Sequence, residues 1–83
     1  MSTLRKKNAL VTGGTKGIGK SIVKELKKKY TVYYTGRKKR KIKNYFQLDL
    51  SDQSSVKSFI KETSKLNFDI LVNNAGINNI KYF

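Results

Sequence analysis

Asn8-Ala-Leu-Val-Thr12-Gly13-Gly14-Thr15-Lys16-Gly17-Ile18-Gly19 is the stretch that decides the architecture of this chain. Its first five residues form a short, largely apolar run closed by two glycines, which suits a buried strand better than a helix. From Ile18 the period changes. Ile18, Ile22, Val23 and Leu26 recur at helical intervals, with Lys20, Lys24, Lys27 and Lys28 on the other side. A glycine-rich loop therefore sits where a strand hands over to a helix. Glycines let the backbone turn sharply and approach a diphosphate closely, and the free N–H groups of the helix start point at its oxygens. The same loop is compatible with a plain strand-to-helix turn, so its surroundings decide.

Working outward, Tyr30 to Thr35 is rich in β-branched and aromatic residues and ends at Gly36, the pattern of a second strand and a turn. Tyr45-Phe-Gln-Leu48 reads as a third strand. Ser51 or Asp52 can cap the following helix, whose less polar positions Val56, Phe59, Ile60 and Thr63 fall at i, i+3, i+4 and i+7. Asp69-Ile-Leu-Val72 is a fourth strand, stopped by Asn73-Asn-Ala-Gly76. This order predicts an α/β fold with a parallel sheet and helices on its faces. Only seven residues lie between Arg37 and Tyr45. Extended, they span roughly 23 Å at ~3.3 Å each, enough to run back along a strand of ~17 Å. A strap or a single turn fits there and a full helix does not.

Length and composition bound the alternatives. A chain of 83 residues holds one small domain and buries only about 60–65% of its unfolded surface. A two-domain enzyme, a barrel or a repeat array is excluded. The formal charge of +14, from 19 Lys and Arg against 5 Asp and Glu, raises nucleic acid, anionic membranes and phosphorylated ligands as partners. Cys and His are both absent, which removes disulfides, thiolate metal sites and the commonest general base. The longest apolar runs, Ala9 to Val11 and Ile70 to Val72, fall far below the ~20 residues of a membrane span. Arg5, Lys6 and Lys7 precede no apolar segment of the secretory type. A cytoplasmic protein without a membrane partner is expected.

The spacing TGxxxGxG, read as Thr12, Gly13, Gly17 and Gly19, resembles the cofactor loop of the short-chain dehydrogenase/reductase family. Asp49-Leu50 follows the third strand, where that family places an acidic residue against the adenine ring. Asn73-Asn74-Ala75-Gly76 matches its NNAG motif, and Arg37 lies just past the second strand. These matches run from residue 8 to residue 76. The resemblance implies the N-terminal half of a Rossmann (doubly wound) parallel sheet, about four strands and two helices with a shortened second crossover. It implies a nicotinamide dinucleotide held by Thr12, Gly13, Gly14, Thr15, Lys16, Gly17, Ile18, Gly19, Arg37, Asp49, Leu50, Asn74, Ala75 and Gly76. An acid near the end of the second strand would select NAD, and a basic residue NADP. From Tyr30 to Asn44 there is no acid, and Arg37 and Lys16 offer cations for a 2′-phosphate, so NADP(H) is expected.

The family's later Ser and Tyr-x3-Lys are not found in these residues. Tyr34-Thr-Gly-Arg-Lys38 matches the latter in letters only, on a strand far from any hydride transfer, and no residue is assigned a catalytic role. The chain is therefore expected to be a partial domain, residues 1–83 of a carbonyl reductase acting for example on a 3-oxoacyl thioester, and silent alone. Its fourth strand would stand at the sheet edge, and the complete protein would be a homo-oligomer. Two other readings stay open. Arg37 to Lys43 carries six cations in seven positions, as in a basic nucleic-acid-binding module. No aromatic interleaves that run and Lys outnumbers Arg, so nucleic acid is the less expected partner. Gly14-x4-Gly19-Lys20-Ser21 also satisfies a P-loop, but the fourth strand offers Asn73 where a Mg²⁺-holding acid is needed. No metal is expected.

Overall fold

A computed structural model describes residues 6–74. Its elements are β1 (Asn8–Thr12), α1 (Gly17–Leu26), β2 (Thr31–Gly36), β3 (Tyr45–Gln47), α2 (Gln53–Glu62) and β4 (Ile70–Asn73). All ladders are parallel, and the strand order is β3-β2-β1-β4. The central strand β1 is thus flanked by β2 and β4, with Leu10 opposite both Tyr33 and Leu71.

Side-chain alternation sorts the sheet into two unlike faces. Ala9 and Val11 of β1, Val32 of β2 and Val23 of α1 make a buried aliphatic cluster, with Ile22, Leu26, Tyr34, Ile70 and Val72 packed around it. The opposite face is aromatic. Phe46 of β3 meets the α2 residue Phe59 edge-on at 6.0 Å between ring centroids. Tyr33 lies between Phe46, stacked at 6.0 Å, and Phe68, edge-on at 5.6 Å. The helices accordingly cover opposite faces, and the sheet is doubly wound as the alternation predicts.

Between β2 and β3 the chain makes no helix. Residues 37–43 are all exposed, and Asn44 turns at φ 63 to enter β3. This strap runs on the α1 side, because Tyr45 pairs with Tyr34 in the ladder and carries the Arg40 guanidinium 6.0 Å above its ring. A strap in place of a helix is what seven residues allow.

Two helix readings shift in detail. α1 begins at Gly17, and Ile18, placed on its apolar stripe by spacing, is 66% exposed because it lies on the outer side of the first turn. In α2 the cap is Asp52, whose carboxylate accepts the Ser54 amide at 2.9 Å. Ile60 is 61% exposed, whereas Ser55 is buried. α2 sits over the short strand β3, so only one edge of its stripe reaches the sheet, and Ser55 faces inward to accept the Asp49 amide at 2.8 Å.

Val11 is fully buried at the centre of the aliphatic cluster. Val11→Ala is expected to lower unfolding free energy by about 2–3 kcal/mol from lost burial and the cavity left behind. Chemical denaturation of the chain measures it.

Candidate functional site

At the C-terminal end of the sheet, three elements converge on one turn. β1 ends at Thr12, and the chain bends through Gly13 at φ 73 and enters α1 through Gly17 at φ 62. Both angles lie in the left-handed region, which glycine enters at no steric cost. A Cβ at Gly19 would overlap the Gly13 carbonyl and the Asn74 side chain, so the start of α1 can approach the turn only as backbone. A Cβ at Gly14 would sit 2.8 Å from both Tyr34 Cβ and Val23 Cγ2. A Cβ at Gly17, by contrast, would meet nothing within 4 Å. The loop is close-packed on its inner side and open on its outer side.

Hydrogen bonds from β4 fix it from one flank. The Thr12 hydroxyl donates to Asn73 Oδ1 at 3.1 Å and accepts the Asn74 amide at 3.0 Å. Asn74 Nδ2 donates to the Gly13 carbonyl at 2.9 Å. From β2, buried Thr35 holds the other flank: its hydroxyl accepts the Gly13 amide at 3.0 Å, and its carbonyl accepts the Gly14 amide at 2.9 Å. Thr35 was not among the residues singled out by sequence. The signal available was a polar residue at an inward strand position immediately before a glycine.

The start of α1 differs from that of α2. Its N-cap residue, Lys16, makes no side-chain cap, where Asp52 caps α2; in neither helix does an acid lie in the first turn. First-turn amides have no preceding helical turn to accept them, so those of Gly17, Ile18 and Gly19 form a positive end beside the open side of the loop. Lys16 is exposed there. Thr15 reaches the end of β2, for a Cβ on Gly36 would sit 2.7 Å from Thr15 Cγ2. Arg37 follows directly, exposed.

Asp49 lies just beyond β3. Its Oδ1 accepts the Ser51 hydroxyl at 2.7 Å and the Ser51 amide at 3.0 Å. Those bonds, with a lesser pull from the nearby Arg37 guanidinium, hold its carboxyl below the usual aspartate range. Leu50 beside it is 65% exposed. Thr12 to Gly19 and Asn74 are thus brought together by direct contact, and Arg37 and Asp49 lie within electrostatic reach of each other. Ala75 and Gly76 lie outside the described residues. Lys20 and Ser21 are exposed on α1. Asp69, just before β4 and at the opposite end of that strand from the glycine loop, accepts the Asn8 amide at 2.9 Å.

A model of the family described as short chain dehydrogenase matches residues 7–83. The chain belongs to the short-chain dehydrogenase family. Within the family it is similar to the 3-oxoacyl-[acyl-carrier-protein] reductase FabG of Staphylococcus aureus, at 38% identity over 88 aligned positions covering 86% of this chain and 36% of that protein. The FabG protein of Buchnera aphidicola subsp. Schizaphis graminum is 38% identical over 87 positions, covering 89% of this chain and 36% of the relative. The crystal structure of a short chain dehydrogenase family protein from Francisella tularensis superposes with a TM-score of 0.73 at 32% identity, covering 87% of this chain and 32% of that one. The chain spans about a third of the length of these family members.

Replacing Thr35 with Val removes the acceptor of the Gly13 amide while keeping side-chain volume. The cost is expected to be about 1–3 kcal/mol of stability, the range for stranding a buried donor. Thr35→Ser, which keeps the hydroxyl, is expected to recover most of it. Thermal melts of the two variants measure the difference.

Proposed function

We propose that this chain binds NADP(H) and forms the cofactor-binding part of a short-chain oxidoreductase that reduces a carbonyl, with a 3-oxoacyl thioester as the substrate class. The observation that carries the reading is the glycine loop: closed against β4 and β2 on one side, open on the other, and topped by an uncapped helix start. A dinucleotide diphosphate is the group that such a turn fits, since its oxygens need amide donors at close approach and tolerate no Cβ between.

Gly13 to Gly19 would hold the diphosphate. Arg37 and Lys16 would meet the 2′-phosphate, the first as a planar fork and the second as a point charge. Asp49 and Leu50 would flank the adenine, and Asn74 keeps the Gly13 carbonyl turned away from the anion by engaging it at 2.9 Å. Ala75 and Gly76 would continue the wall past β4. When bound, the nicotinamide supplies the hydride. The Ser and Tyr-x3-Lys that the family uses at the carbonyl are not in this stretch, so these residues bind and orient the cofactor without performing the transfer. The substrate class is supported by the FabG relatives, and a homo-oligomeric cytoplasmic enzyme is the setting this reading implies.

Calorimetric titration of the chain with NADPH and NADH tests the cofactor assignment. NADPH is expected to bind more tightly, and Arg37→Ala to weaken it by about tenfold or more, the scale of a charge-assisted contact to phosphate. NADH affinity should stay within about twofold, since it carries no 2′-phosphate to lose. Equal affinities that Arg37→Ala leaves untouched would overturn the assignment.

A further inference from the structure

Three consecutive carbonyls, from the last residue of β2 into the strap, are held from β3 and the residue that follows it. The Leu48 amide donates to Gly36 O at 2.7 Å. The Gln47 side-chain amide donates to Arg37 O at 3.0 Å, and the Tyr45 hydroxyl donates to Lys38 O. The β2–β3 ladder ends with Gly36 opposite Gln47, so backbone pairing cannot reach the next two residues. Gln47 and Tyr45 extend the ladder with their side chains past the end of the strand.

We propose that Tyr45 and Gln47 are positioning residues for cofactor discrimination: by tying the carbonyls of Lys38 and Arg37 they fix the backbone from which the Arg37 guanidinium reaches a 2′-phosphate. The proposal rests on Arg37 being the cation for that phosphate. An exposed arginine on a free loop would lose backbone and side-chain entropy on binding, and a pre-fixed backbone removes part of that cost. The strap has particular need of anchoring, since six cations in seven positions repel one another and would spread an untethered loop.

The anchors are themselves well held. Tyr45 is buried, its ring 5.3 Å from Tyr34 edge-on and covered by Arg40. Burial pushes its hydroxyl pKa up, against the pull of Arg40. A Cβ on Gly36 would sit 2.5 Å from the Tyr45 hydroxyl and 2.7 Å from Thr15. The anchor, the end of β2 and the Thr15 methyl are therefore packed against one another, which fixes the point from which the strap starts.

The test is a set of calorimetric titrations with NADPH and NADH on Tyr45→Phe, Gln47→Met and the double variant, each also made in the Arg37→Ala background. Each single change is expected to raise the NADPH dissociation constant about three- to tenfold, the size of one net hydrogen bond. NADH affinity should move by less than about twofold, because the lost bonds act only through the 2′-phosphate contact. In the Arg37→Ala background the same changes should leave NADPH affinity unchanged, the signature of acting through Arg37. Equal weakening of both cofactors would reduce Tyr45 and Gln47 to general supports of the fold and overturn the proposal. So would an unchanged NADPH/NADH ratio in the double variant while Arg37→Ala collapses that ratio. If Arg37→Ala itself leaves the ratio intact, the NADP assignment fails instead, and the positioning role with it. Should the double variant not fold, Gln47→Met, at a half-buried position, decides on the same criteria.

Discussion

The contact between the Gly13 carbonyl, the backbone of Gly19 and the side chain of Asn74 is the point from which the rest of this structure is hung. No Cβ fits between Gly13 and Gly19, so the end of β1 and the start of α1 meet backbone to backbone. Asn74 joins them from 61 residues away. The inner side of the turn is held by Asn74, Thr12 and Thr35, while the amides of the first helical turn, which no preceding turn can accept, receive no side-chain cap. The left-handed Gly13, the missing cap on α1 and the asparagines after β4 are parts of one device, and losing any of them changes the geometry of all.

The parts of this device that are local were legible in the sequence. Glycine spacing, the shift from strand to helix period at Ile18, and the turn chemistry around Gly36 each depend on a few neighbouring residues. Parallel pairing followed from the alternation of strands and helices, and the absence of a second crossover helix followed from chain length alone. Asp52 against Ser51 as the cap was left open because both residue types accept an amide equally well at that site.

What escaped was decided by tertiary contacts. Periodicity marks a stripe on a helix but not how much of it meets the sheet, so Ile18 and Ile60 count as apolar positions and yet lie in solvent. Ser55 and Thr35 are polar residues at inward positions, and their value lies in backbone amides at Asp49 and Gly13 that no residue pattern announces. Gln47 and Tyr45 act on carbonyls across the sheet edge. The charge was visible at once, but not its distribution. Of the 5 acidic residues, Asp49 engages Ser51, Asp52 caps α2, Asp69 takes the Asn8 amide, and Glu25 meets Lys28 at 3.1 Å in an exposed pair of little energetic weight. Four of the five acids are thus spent on local structure, and Asp49 alone also feels a strap cation, Arg37.

The two rims of the sheet are not equivalent. At one, β3 is three residues long and runs straight from a lysine-rich strap, a short border guarded by like charges. At the other, β4 presents Ile70-Leu-Val-Asn73, with Leu71 65% exposed and no further ladder partner among the described residues. Short length and charge discourage strand addition, whereas an apolar border with open peptide groups invites it. The sheet therefore has a polarity of growth. Any strand added to it, from the same polypeptide or another, finds its template beside β4, on the side away from the strap and its cations.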